Sequence, residues 1–293
     1  MNKIILFSFL LFSNSLFSQN ISQNVIIEYE DTLSVIAHTI MNGETEKIRT
    51  QANIGFLSEL KEVLKYKKSY LYPFDKLVTI SKLNPTDNSF RLFSWILKKE
   101  DGSYNYFNLI VLEATGKNDF NTIIELKDNK NVLNSENNTL DKDNWYGALI
   151  YKIISPKKKN NKLYTILAWD GSNSKSTTKI IDVIEIKNKE VSFGKDIFIN
   201  GKTVSKRIIY QYNSNTSASV NYDEEKKRII MDHLVPLKEN QEGFNQFYVA
   251  DGSYDCYQYK NGKWMFTQNI DARTKTTLPE IKKEKSDKGL FNN

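Results

Sequence analysis

The sequence predicts an α+β protein that is mainly β: an N-terminal helical hairpin followed by a large antiparallel β meander, curled, sandwiched or propeller-like. Two observations carry this. Apolar residues recur at three- and four-residue steps up to about position 64, and from about Leu77 the period falls to two. Turn dipeptides then punctuate the chain at Asp101-Gly102, Asn188-Lys189, Asn200-Gly201 and Asn261-Gly262, and Asn-Gly between alternating runs is the strongest short-range hairpin signal.

In chain order, Met1-Asn2-Lys3 supplies a positive charge, 4–17 is apolar apart from Ser and Asn, and Ser18 offers a small residue before Gln19. That is the order of a secretory leader, too short for a membrane-spanning helix. The expected organisation is a signal peptide at 1–18, a helical hairpin at 19–75, an antiparallel β domain at 76–272 and a polar tail at 273–293. The leader places the mature chain in the periplasm or outside the cell, with no transmembrane span.

The first helix carries Ile26, Tyr29, Leu33, Ile36, Ala37 and Ile40 on one face, and Asn42-Gly43 stops it. The second starts near Glu44, carries Ile48, Ala52, Phe56, Leu60, Val63 and Leu64, and ends before Tyr72-Pro73. Strands are expected at 77–83, 90–97, 104–112, 121–126, 145–154, 162–168, 178–186, 190–199, 203–212, 218–222, 228–234, 244–250, 254–259 and 264–268. So many short strands exceed what one open twisted sheet usually holds, so the sheet must curl, split or divide into blades. The polar stretch 116–143 reads partly as an exposed excursion.

Composition narrows the chemistry. Two histidines and the single Cys256 leave little room for His/Cys metal sites and no intramolecular disulfide. The net charge is +6 and almost wholly lysine; arginine forks, which read phosphates and guanine edges, are scarce, so nucleic acid is not an expected partner. The densest basic cluster, Lys157-Lys158-Lys159 with Lys162, reads as a solvated hairpin loop. No cofactor is expected, because Gly-rich phosphate loops and zinc spacings are absent.

No nucleophile elbow occurs, and Cys256 reads as a small buried hydrophobe. Asp232 and His233 are adjacent on a strand and point to opposite faces, so they do not pair with each other. Asp251 and Asp255 are four apart, so on a regular strand both carboxylates converge on one side; the bland reading of Asp251-Gly252 is a turn. A glycosidase needs only two carboxylates, and the pool is Asp170, Asp182, Asp196, Asp223 and Asp232. The aromatics Trp169, Tyr222, Tyr248, Tyr254, Tyr257, Tyr259 and Trp264 either line a binding groove or pair across strands to hold the sheet, the second being favoured.

The second half carries a recognisable order of words: LYTILAWDG (163–171), TKIIDVIEI (178–186), FGKDIF (193–198), KRIIYQY (206–212), VNYDEEKKRIIMDHLVP (220–236) and FYVADGSYDCYQYKNGKWMF (247–266). It resembles a family of uncharacterised secreted proteins from Bacteroidota-type bacteria, over roughly residues 80–275. The resemblance implies export and transfers no catalytic residue. Residues of its recurrent words, besides Asp182, form the candidate binding set: Trp169, Asp170, Tyr222, Asp223, Asp232, His233, Asp251, Tyr254 and Asp255. The expectation is an exported non-catalytic binding or structural protein of the cell envelope, its partner an envelope polymer or another envelope protein. The alternative is a carboxylate-dependent hydrolase of an envelope glycan.

Overall fold

The structure, a computed structural model, describes residues 21–116, 120–129, 136–156, 162–171, 173 and 175–271. The expected leader, the tail at 273–293 and the lysines at 157–159 lie outside the described residues.

Two helices open the chain, α1 (Gln23–Asn42) and α2 (Glu46–Leu64). Ser22 and Thr45 stand before them in extended backbone, and each hydroxyl accepts an N–H three residues on, from Val25 and Ile48. Each cap satisfies one donor that the first helical turn leaves unpaired. The expected α1 stripe faces inward throughout. On α2 the stripe is shifted: Ile48 is exposed, and Asn53 is buried where its Oδ1 accepts from the Trp95 indole at 2.7 Å.

α2 stops at Leu64, short of the expected boundary at Tyr72-Pro73. Tyr66 leaves the helical region to bridge to Phe120. Carbonyls freed at the helix end are taken by Asn121, whose amide donates to Leu64 O at 3.0 Å and Tyr66 O at 2.9 Å.

The expected architecture is present, two helices followed by mainly antiparallel strands, and the strands divide among three sheets. The first holds β1 (Ser81–Leu83), β2 (Arg91–Lys98), β3 (Tyr104–Leu112) and β4 (Thr122–Leu126), antiparallel and in chain order. The second is built from β5 (Leu140–Asp141), β6 (Leu149–Ile154), β7 (Leu163–Asp170), β8 (Ser176–Lys187) and β9 (Glu190–Phe193), ordered β5-β9-β8-β7-β6. The chain then crosses to a third sheet with β10 (Phe198–Asn200) and β11 (Thr203–Ser205). It returns with β12 (Ile208–Asn213) to the free half of β8, and completes the third sheet with β13 (Val220–Asp223), β14 (Arg228–Pro236), β15 (Tyr248–Lys260) and β16 (Lys263–Thr267). Its order is β11-β10-β16-β15-β14-β13.

One pairing in this set is parallel, β10 on β16, with Phe198 opposite Trp264. Strands that reach a sheet from elsewhere are free of the antiparallel geometry a hairpin imposes. The expected strand 190–199 breaks at Gly194, which adopts φ +88°, and a Cβ there would stand 2.8 Å from the Arg207 guanidinium. The expected strands 244–250 and 254–259 are a single strand, β15, irregularly paired opposite His233.

These elements stack in four layers with three cores between them. The helices cover one face of the first sheet through Phe56, Leu60, Phe93, Trp95, Leu109 and Val111. The opposite face, through Leu92, Ile110 and Ile124, meets Ile150, Ile166, Ala168, Ile180 and Phe193 of the second sheet. Leu167, Ile181 and Val183, on the far side of that sheet, pack on Ile229, Met231, Tyr257 and Trp264 of the third. Alternation along β7 and β8 therefore separates two cores, not core from water, and most positions of both strands are buried.

Candidate functional site

The aspartates of the candidate set are committed to structural bonds. Asp170 is buried between the first two sheets, where the Tyr106 hydroxyl donates to it at 2.7 Å and itself accepts from Gly171 N at 2.8 Å. Burial and the Asp170 charge push the Tyr106 hydroxyl far up, which keeps it a donor. Asp223 accepts from Lys226 N at 2.9 Å and Arg228 Nε at 3.2 Å, closing the β13–β14 hairpin. Against the opposing pull of burial, these bonds hold its carboxyl below the usual range. Tyr222 and Trp264 meet edge to face in the third core, and Trp169 meets Tyr104 in the same way. Tyr254 is exposed.

Asp232, His233, Asp251 and Asp255 gather at the β14–β15 irregularity. The pairing runs from Asp232 opposite Tyr254 to Leu234 opposite Ala250, so the three residues 251–253 stand against His233 alone. Asp251 and Asp255 therefore do not converge, in keeping with the preferred reading of Asp251-Gly252 as a turn. Asp251 is exposed and turned onto Ser253, accepting from its N–H at 2.9 Å and its hydroxyl at 2.7 Å, bonds that hold its carboxyl low. Asp255 is buried; it meets His233 Nδ1 at 2.8 Å and accepts from Asn269 N at 3.1 Å. Asp232 accepts from Ser219 N at 2.7 Å, and its backbone carbonyl accepts from the Tyr210 hydroxyl. His233 thus has an aspartate partner, but one 22 residues away and not its neighbour. Among the described residues, no group of three His, Cys, Asp or Glu side chains is placed to hold a metal ion.

Of the nine candidates only Tyr222 lines any of the three described cavities, a gap of about 20 Å³ against Tyr259 and Trp264. That is too small for a sugar ring. The aromatics of the third sheet are chiefly cross-strand and inter-sheet packing.

A usable cavity lies elsewhere, at the open end of the sandwich formed by the first two sheets. It measures about 440 Å³ and is walled by five separate segments. They are Asn88–Phe90 before β2, Leu112–Thr115 after β3, Phe120 and Thr122 at the start of β4, Lys162 and Tyr164 at the start of β7, and Ile186 and Lys189 at the β8–β9 turn. The size is within the range of small-molecule sites.

Each wall is fixed. Asn121 ties the β3–β4 connection to the end of α2, its Oδ1 accepting from Ala114 N at 2.9 Å, and this sets Phe120 at the rim, 58% exposed, its ring 5.9 Å from Tyr66. The loop before β2 is held by the Tyr70 hydroxyl, which donates to Asn88 O at 2.6 Å, and by Ser155 Oγ, which accepts from Thr86 N at 2.8 Å. Burial, then the nearby Glu113, push the Tyr70 hydroxyl up to about 12.

In the floor, the Tyr164 hydroxyl donates to Asp87 Oδ2 at 2.8 Å and lies 2.7 Å from Ser89 Oγ. Tyr164 gives its one proton to Asp87; the Ser89 hydroxyl lies within reach of both Tyr164 and the Asp87 carboxylate, and its Oγ lone pairs are acceptors toward the cleft. Burial works against the Asp87 charge, but hydrogen bonds from Tyr164 and Ser89 and the Lys162 ammonium at 3.4 Å hold its carboxyl below the usual range.

A second cleft of about 510 Å³ shares Lys189 and runs along β9 and β5. Its charges are largely paired with one another, Lys142 with Asp143 and Lys187 with Glu185. None of the first cleft's lining was singled out as a site from the sequence, since Ser, Tyr, Asn and Lys at these spacings form no motif.

Comparisons with protein-family models, with curated proteins and with solved structures find no match. The functional reading rests on the geometry of the cleft.

Proposed function

We propose that this chain is an exported, non-catalytic binding protein of the cell envelope, and that its ligand enters the cleft between the first and second sheets. The observation that carries the reading is that the aspartates are engaged by the fold: in the cleft floor Asp87 is tied to the Tyr164 hydroxyl, to Ser89 N and to the Lys162 ammonium. The aspartates of the hydrolase alternative are turned to Tyr106, Arg228, Ser219, Ser253 and His233 instead of toward a shared substrate.

Thr122 begins β4 on the side that faces the second sheet and lines the cleft. Thr122→Trp fills the cavity at its mouth. In a thermal-shift screen with dipeptides, tripeptides and neutral and acidic oligosaccharides, at least one compound is expected to raise the midpoint of the native protein but not that of the variant. A panel with no such compound at millimolar concentration would end this reading.

Export rests on the 1–18 segment. Expressed in a Gram-negative host, the chain is expected in the periplasm with an intact mass that starts at Gln19. Retention in the cytoplasm with Met1 still attached would refute that part.

A further inference from the structure

We infer that the cleft takes a zwitterionic ligand, a free amino acid or short peptide with an apolar side chain, its ammonium received by Glu113 and its carboxylate by Lys189. This rests on the cleft being the binding site. Three features converge on the chemistry.

The first is charge. Among the described residues, Glu113 and Lys189 are the two ionised side chains of the cleft lining that have neither a hydrogen bond nor an ion pair, and they carry opposite signs. Lys162, by contrast, is engaged with Asp87. A neutral sugar would leave both charges unmatched, and a simple anion would match one. A zwitterion matches both, and its N–H groups also have the Ser89 Oγ lone pairs as an acceptor.

The second is the backbone of Lys189. Asn188 and Lys189 make the β8–β9 turn with φ +52° and +67°. The equivalent turn between β15 and β16 has Asn261 at +50° and glycine, Gly262, at +85°. Glycine is the residue that takes the second position of such a turn without steric cost. A lysine there takes the left-handed region at a steric cost, as Lys227 does at the β13–β14 turn with φ +53°, and the Lys189 turn brings its side chain to the cleft.

The third is the rest of the lining. Phe90, Leu112, Ala114, Phe120 and Ile186 supply an apolar surface, suited to an aliphatic side chain and not to a string of hydroxyls.

The test is calorimetric titration of the purified protein with Leu-Leu, with N-acetyl-Leu-Leu-amide, which lacks both charges, and with chitotriose. Leu-Leu is expected to bind at least tenfold more tightly than the blocked peptide. Lys189→Gly and Glu113→Gln are each expected to weaken Leu-Leu at least tenfold, while Lys189→Gly leaves the urea midpoint unchanged or raises it, as relief of a strained turn requires. Equal binding of free and blocked peptide, or full affinity in both variants, overturns the inference but leaves the cleft reading intact provided Thr122→Trp abolishes that binding. Chitotriose binding that Thr122→Trp abolishes does the same. Leu-Leu binding that survives Thr122→Trp overturns both, and no binding of any probe overturns the zwitterion assignment.

Discussion

Arg207→Met is expected to cost about 3–5 kcal/mol of folding stability, the usual range when one partner of a buried ion pair is removed. Arg207 and Asp182 are both fully buried, with Nε 2.9 Å from Oδ2, and the guanidinium also donates to Asn138 O at 3.0 Å. It thereby pins the 136–138 segment, which also takes backbone N–H groups from Lys206 and Arg207 at Glu136 O, against the second sheet. The variant leaves the Asp182 carboxylate in a core with its charge unmatched. Burial already pushes that carboxyl up against the pull of Arg207, and removing the arginine pushes it further.

A carboxyl whose folded value lies above its unfolded value, about 3.9, gives its full stability below the unfolded value and loses it as pH rises through the folded one. The defect should therefore be smaller at pH 5 than at pH 8. Urea unfolding at both pH values measures it. A variant as stable as the native chain, or a defect that grows on acidification, would contradict this account. Replacing both partners, Asp182→Leu with Arg207→Met, should recover much of the loss, because no charge is then stranded.

Trp95→Ala should be comparably damaging, at about 3–5 kcal/mol. Trp95 is 1% exposed on the helix-facing side of β2, its ring 5.2 Å from Phe56 and 5.5 Å from Phe107. It is the contact through which α2 and the first sheet share both an apolar and a polar bond, because its indole donates to the buried Asn53. Alanine opens a cavity and also leaves Asn53 Oδ1 without its donor. Trp95→Phe keeps a six-membered ring but loses the N–H and part of the indole volume, so it should cost less than alanine, with about 1–3 kcal/mol of the loss expected for the orphaned acceptor. Against a typical total of about 5–15 kcal/mol, the alanine variant should be partly unfolded at modest urea. Equal midpoints for the phenylalanine variant and the native chain would mean that the Asn53 bond contributes nothing.

What was legible in the sequence is what local forces decide. α1 forms where its spacing puts it, and β3 has the expected bounds, because periodicity and capping act within a few residues. The partition into three sheets is not local. β8 gives one half of an edge to β9 and the other to β12, and nothing within a twelve-residue strand announces which distant segment will dock on it. A sign of burial on both sides was present in LYTILAWD of β7, apolar at nearly every position.

The candidate site divides in the same way. Adjacency correctly excluded an Asp232–His233 pair, yet the true partner, Asp255, depends on the irregular register opposite His233. Gly252 in the middle of an aromatic strand was the available hint of an irregularity. The cleft had no sequence signature because its lining comes from five segments that only the stacking of two sheets brings together.

The four layers follow the order of the chain: helices, then the first, second and third sheets. A polypeptide released N-terminus first can therefore assemble by accretion, each new sheet arriving at an apolar face that the preceding layer has already completed. β12 is the one late return to an earlier layer; it pairs along the free half of β8 and adds Ile208 and Tyr210 to the third core. The cost of this arrangement is that every unfinished stage presents a sticky plane. The middle sheets cannot stand as end products, and a chain cut short after β9 would carry the surface meant for Tyr257 and Trp264 bare into solution.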